Sequence, residues 1–233
     1  MVISGIDIQV NRKKIKNMHL YVKPPNGTVS VSAPLNIKDD AIERFVHTKI
    51  SWIKTQQAKF ASQLRQTERR YVSGETLYLW GKQYFLQVDF GNKNNITLSG
   101  NTVLLTVRQE STVKQRDNFV REWYREQLKC EIIRLLPKWE DMTGLKCDSW
   151  QTKYMTSKWG TCNLVKKKLW FNLQLAKKPI ECLEFIILHE LIHLKVKNHN
   201  AEFTALMDKY MPLWKEIKKK LNVQILDYWV VKA

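Results

Sequence analysis

The sequence predicts an α+β fold: a β-rich first part that contains a helix, followed by a mainly helical second part. Three observations carry this. Short apolar runs punctuated by glycine fill much of residues 1–110. A long amphipathic stripe begins near Thr112. After Pro179 comes an almost wholly apolar helix with two histidines one turn apart.

The first strands are expected as a hairpin. Ile15 to Val22 alternates imperfectly, Pro25-Asn26-Gly27 is a turn signal, and Val29 and Val31 alternate with Ser30 and Ser32 before Pro34. One helix is then expected from Lys38 to Gln63, because Ile42, Phe45, Val46, Ile50 and Ile53 keep helical spacing and Asp39 and Asp40 suit a helix start. Arg65 to Arg70 reads as a connector. Leu77–Leu79, Tyr84–Val88, Ile96–Leu98 and Val103–Val107 read as strands separated by glycines. A long helix follows from Thr112 to Met142, with Phe119, Val120, Trp123, Tyr124, Leu128, Ile132 and Leu135 as its apolar stripe. Pro137 is expected to kink it and Gly144 to stop it. These patterns place a division near residue 110, giving segments 1–110 and 111–233, and no internal repeat is legible.

The chain of 233 residues is 44% apolar, enough to bury a sizeable core. Its net charge of +17 suits an anionic partner such as a nucleotide or nucleic acid, yet the surplus is spread along the chain, as a lysine-rich proteome alone would produce. Cys130, Cys147, Cys162 and Cys182 form no C-x-x-C pair and read as small core residues of a reducing compartment. There is no basic stretch leading into an apolar run at the N-terminus, and no run long enough to span a bilayer. The expectation is a soluble, cytoplasmic protein that does not engage a membrane.

The chemistry concentrates after Pro179. Leu183, Phe185, Ile186, Ile187, Leu188, Leu191 and Ile192 make the helix apolar nearly all round, so His189, Glu190 and His193 are costly to bury unless paired or bound to a metal. Residues 189–193 form an H-E-x-x-H motif. Four helical residues place His189 and His193 about 40° apart, so both imidazoles can reach one tetrahedral Zn2+. Glu190 lies about 100° away, where its carboxylate can meet the water to be activated rather than the ion. His199 is the expected third ligand. On a continued helix it would point about 240° away, so the helix must end first. Asn198 in a left-handed conformation would reverse the chain, and Asn200 would cap the next helix. Glu202 is the rival third ligand.

These residues resemble the YgjP-like metallopeptidases and, more distantly, SprT-like and WLM proteases. The resemblance rests on His189-Glu190-Leu191-Ile192-His193, Asn198-His199 and Phe203. It rests also on Ser157-Lys158-Trp159-Gly160-Thr161-Cys162 followed by Leu169-Trp170-Phe171-Asn172. Lys158 stands where the family has Arg, Thr161 where it has Ser, and Thr204 where it has an aromatic. The metal site is untouched by these departures, whereas substrate contacts transfer less directly. The resemblance implies a zincin-like catalytic domain after a β-rich N-terminal subdomain. It also implies metallopeptidase activity and, as a second label of the family, pyrophosphatase activity on nucleoside triphosphates, notably UTP.

Three functions follow as expectations. The first is hydrolysis of a peptide or protein by Zn2+ and Glu190. The second is hydrolysis of a nucleotide phosphoanhydride, with lysines holding the phosphates. The third is a protease tethered to nucleic acid by its basic surface. Lys158, Trp159, Gly160 and Asn172 are expected to contact substrate, with the strand Lys168–Asn172 pairing an extended peptide. Tyr154 or Lys158 is expected to stabilise the developing oxyanion. The runs Lys166–Lys168 and Lys218–Lys220 read as solvated faces.

Overall fold

The computed structural model describes residues 1–23, 27–62, 69–155 and 158–223. They form two compact units, the second beginning at Arg69. No helix among the described residues is long and apolar enough to cross a membrane.

The first unit holds strands β1 (Val2–Ile3), β2 (Ile6–Lys13), β3 (His19–Lys23) and β4 (Thr28–Pro34), then helices α1 (Asp39–His47) and α2 (Ile50–Ser62). Its sheet has the order β1-β2-β4-β3, with β2 parallel to β4 and the other pairs antiparallel. The expected hairpin is β3–β4, beginning at His19 rather than Ile15. Part of its turn lies outside the described residues. Strand β2 was not legible because Ile8 alone among its residues is fully buried, so it lacks a two-residue apolar period. The single helix expected over residues 38–63 is two helices, and Gln63 lies outside the described residues. Thr48 ends α1, and its hydroxyl donates to the Phe45 carbonyl at 2.8 Å. Val46 and Ile53 are both buried and seven positions apart, so the apolar pattern runs through the break without marking it.

The second unit opens with β5 (Thr76–Leu79), β6 (Lys82–Phe90), β7 (Asn95–Ser99) and β8 (Thr102–Val107), in the order β5-β6-β8-β7. Here too the central pair, β6–β8, is parallel and the flanking pairs are antiparallel. The two four-stranded sheets therefore share one topology although no sequence repeat announces it. The division expected near residue 110 does not follow the packing. Val103, Leu105 and Val107 of β8 share one core with Val120, Tyr124 and Leu128 of the next helix, which ties this sheet to the helical part.

That helix, α3 (Val113–Thr143), starts at a capping box between Thr112 and Gln115 and ends at Gly144 with φ 70°. Pro137 lies inside it without ending it. Strands β9 (Ser149–Lys153), β10 (Gly160–Asn163) and β11 (Lys168–Asn172) form a three-stranded sheet in the order β10-β11-β9. A 3₁₀ turn (Leu173–Lys177) leads to α4 (Ile180–His193), α5 (Ala201–Tyr210) and α6 (Trp214–Val223). Pro179 sits at the N-cap of α4, one position before the helix, and nine residues of α4 are buried, Glu190 among them.

Candidate metal centre

Helix α4 carries His189, Glu190 and His193 on its last turn. It ends at Leu194, and the Lys195 and Val196 amides both donate to the Ile192 carbonyl at 2.9 Å. The chain then turns back, as required for His199 to reach the pair. Asn198 does not adopt the expected left-handed conformation; it is absent from the positive-φ residues among those described. A tighter device does the work: the Asn200 amide donates to the Asn198 carbonyl at 2.8 Å, a three-residue turn with His199 at its centre. Asn200 Oδ1 then accepts from the Phe203 amide at 3.0 Å and caps α5, as expected.

The result is a convergence of three imidazoles. His189 Nε2 lies 3.2 Å from His193 Nε2 and 3.0 Å from His199 Nε2. Two nitrogens bound to one tetrahedral ion at about 2.0–2.1 Å stand about 3.3 Å apart, so this spacing fits a single divalent cation. His193 Nδ1 donates to the Val196 carbonyl at 3.0 Å, which leaves the lone pair on Nε2 facing its neighbours. Phe203 is buried beneath the triad, with ring centroids 4.9, 4.9 and 4.7 Å from those of His189, His193 and His199. Burial, aided by the neighbouring His193 and His199, pushes His189 down to about 3, so the imidazole is neutral and able to offer a lone pair. His199 is lowered too, by burial and by His193 and Lys218. His189 Nδ1 is buried with no hydrogen-bond partner among the described residues. Glu202, the rival ligand, is exposed and lies 3.9 Å from Lys195.

Glu190 is 4% exposed. Its carboxyl is pushed up to about 8 by burial, with Lys158 pulling the other way. It rests against Gly160: a Cβ there would lie 2.5 Å from Glu190 Oε1 and 2.8 Å from Ile186 Cγ2. Gly160→Ala should therefore displace Glu190 or strand β10 and cost about 1–3 kcal/mol of stability. Urea denaturation measures this, and an unchanged midpoint would show that the contact relaxes freely.

A cleft of about 450 Å³ opens over these groups, lined by Lys158, Trp159 and Gly160 at the start of β10 and by Lys197, His199 and Lys218 from the α4–α5 turn and α6. Three of the four expected substrate residues thus line it. Asn172 does not. It is 4% exposed, and its Nδ2 donates to the Met155 and Lys158 carbonyls at 2.9 and 2.6 Å. Its backbone amide donates to the Trp159 carbonyl at 2.8 Å, so Asn172 fixes the wall rather than the substrate. Asn172→Ala should cost about 2–3 kcal/mol, read as a lowered thermal midpoint with zinc stoichiometry retained. An unchanged midpoint would deny this bracing role.

The strand expected to pair with substrate is also corrected. β11 is central and paired on both sides, whereas β10 has an open edge beside the cleft among the described residues. Tyr154 does not line the cleft; its ring lies 4.6 Å from the Arg121 guanidinium. Cys162 lines the cleft, Cys130 is exposed, and Cys182 alone fits the expectation of a fully buried cysteine. Lys218 was hidden in a run that reads as solvated; within that run Lys220 instead lies 3.6 Å from Glu181. Only the placement of α6 separates their roles.

No curated protein matches the chain. Among solved structures, the metallopeptidase zymogen of Pyrococcus abyssi abylysin is 20% identical, covering 41% of this chain and 99% of that one, with a TM-score of 0.36. The metallopeptidase zymogen of Methanocaldococcus jannaschii jannalysin is 25% identical, covering 42% and 93%, with a TM-score of 0.31. Residues 16–224 match the model of the YgjP-like metallopeptidase domain, and the chain belongs to the YgjP-like metallopeptidase family.

Proposed function

We propose that this chain is a zinc peptidase with a zincin-like catalytic unit, in which His189, His193 and His199 hold the ion and Glu190 is the general base. The observation that carries this reading is the meeting of three Nε2 atoms beside one buried carboxylate in an open cleft. Three imidazoles suit zinc and leave a fourth position open. Bound there, zinc supplies Lewis-acid polarisation of a carbonyl and a lowered pKa for water. Glu190 accepts the proton of the attacking water and returns it to the leaving nitrogen. Lys158, on the cleft wall, provides positive charge for the oxygen that becomes negative as the carbonyl is attacked. The open edge of β10 holds the substrate backbone by main-chain hydrogen bonds.

The experiment combines elemental analysis with hydrolysis of a denatured protein and of UTP, each against Glu190→Gln. Protein cleavage that vanishes in the variant supports the peptidase. Cleavage of UTP alone, again lost in the variant, replaces it with phosphoanhydride chemistry in the same site.

A further inference from the structure

Lys197 and Lys218 have no part in the proton transfers, yet both line the cleft. Lys197 lies in the loop between α4 and His199, and Lys218 lies on α6. Their sequence neighbours have acidic partners: Lys195 lies 3.9 Å from Glu202, Lys215 3.4 Å from Asp208 and Lys220 3.6 Å from Glu181. Lys197 and Lys218, like Lys158, have no carboxylate within ion-pair distance among the described residues.

The ammonium of Lys218 also has an aromatic neighbour. It lies 5.6 Å from the ring of Trp214, which stacks on Phe185 at 6.3 Å with planes 8° apart. The Trp214 indole donates to Asp208 Oδ1 at 2.7 Å, so this support is itself fixed. Among the described residues that line the cleft Glu190 is the one carboxylate, and it is buried behind Gly160. An incoming chain therefore meets three ammonium groups and no exposed carboxylate among the described lining residues. Phe185, Ile186, Leu164 and Leu221 supply apolar lining that focuses this field.

We propose that the cleft selects acidic peptide segments, with Lys197 and Lys218 as specificity-determining residues that pair with Asp or Glu side chains flanking the scissile bond. This rests on the peptidase reading and adds the substrate class. A segment rich in Lys or Arg is repelled by the same groups, and an uncharged one gains only the main-chain pairing along β10.

The test uses zinc-loaded full-length protein and three matched peptides built around a sequence cut in the denatured-protein digest. Their flanking residues are Asp and Glu, Asn and Gln, or Lys. The acidic peptide should have a kcat/KM at least about tenfold above the neutral one at low salt, and the gap should narrow as salt is added. Lys197→Glu with Lys218→Glu should reverse the order of acidic and basic peptides. The milder Lys197→Gln with Lys218→Gln should flatten the preference, which keeps the test valid if the reversal perturbs folding. Dissociation constants of peptides with the same three flanking compositions, measured on zinc-loaded Glu190→Gln, give a readout without turnover. Equal dissociation constants, or a preference indifferent to both lysine changes, would overturn the proposal. Selective binding of the acidic peptide with no cleavage of any peptide would instead count against the peptidase reading alone.

Discussion

Glu190→Gln is expected to lower hydrolysis by a factor of about 10²–10⁴ and to leave zinc stoichiometry unchanged. The amide keeps the size of the carboxyl, so the contact with Gly160 and the course of α4 survive. What is lost is the group that takes a proton. The metal-free protein should also gain stability from the change, and the gain should depend on pH. Burial lifts the Glu190 carboxyl from its ordinary 4.5 to about 8, so the folded chain holds this proton more tightly than the unfolded chain does. Stability therefore falls as pH rises between those two values, because the buried carboxyl must ionise or stay protonated at a cost. Glutamine removes that penalty. Thermal midpoints of the two metal-free proteins should coincide near pH 4 and diverge toward pH 8, with the variant higher. Zinc should close most of this gap, since a nearby cation favours the carboxylate. Full activity in the variant would remove Glu190 from the mechanism, and parallel pH profiles would deny that its burial is costly.

Much of the site was legible because its signals are local. The spacing of His189 and His193 depends only on helical periodicity, and the apolar context of Leu183 to Ile192 dictated burial. Asn200 announced the cap of α5. The way the chain reverses before His199 was not legible in detail. Either Asn198 in a left-handed conformation or a tight turn around His199 satisfies the same requirement, and packing selects the second. The cleft lining was read in part. Lys158, Trp159 and Gly160 do line the cleft, and the missing side chain of Gly160 lets β10 approach Glu190 closely. Asn172 was assigned to substrate together with the strand that it ends. Its bonds to Met155 and Lys158 connect residues far apart in sequence and become visible only in the fold. The same limit hid the edge of β10, the partnership of β8 with α3, and the cleft position of Lys218. Sheet order and helix docking are long-range properties, and a two-residue or 3.6-residue period carries neither.

His193→Ala is expected to weaken zinc binding by more than about 100-fold, beyond the loss typical of removing only a supporting partner of a ligand. Two interactions disappear together: one of three ligand nitrogens and the bond from Nδ1 to the Val196 carbonyl that orients it. His199→Ala should lower affinity as well, though by less, because that side chain is exposed and comes from a loop rather than from the buried helix. Glu202→Ala is the control and should change nothing, since its carboxylate lies beside Lys195 at the surface. Competition with a chelator of known affinity measures all three. Zinc should also raise the thermal midpoint of the wild-type protein, by about 4 kcal/mol of stability at a thousandfold excess over the dissociation constant, and His193→Ala should abolish that rise. Equal loss in Glu202→Ala and His199→Ala would assign the third ligand to both or to neither. Loss confined to Glu202→Ala would mean that the α4–α5 turn rearranges around the ion. The close approach of the Nε2 atoms argues against that rearrangement: His189 Nε2 already stands from its two neighbours at about the spacing that one tetrahedral ion imposes, so binding asks little movement of the turn.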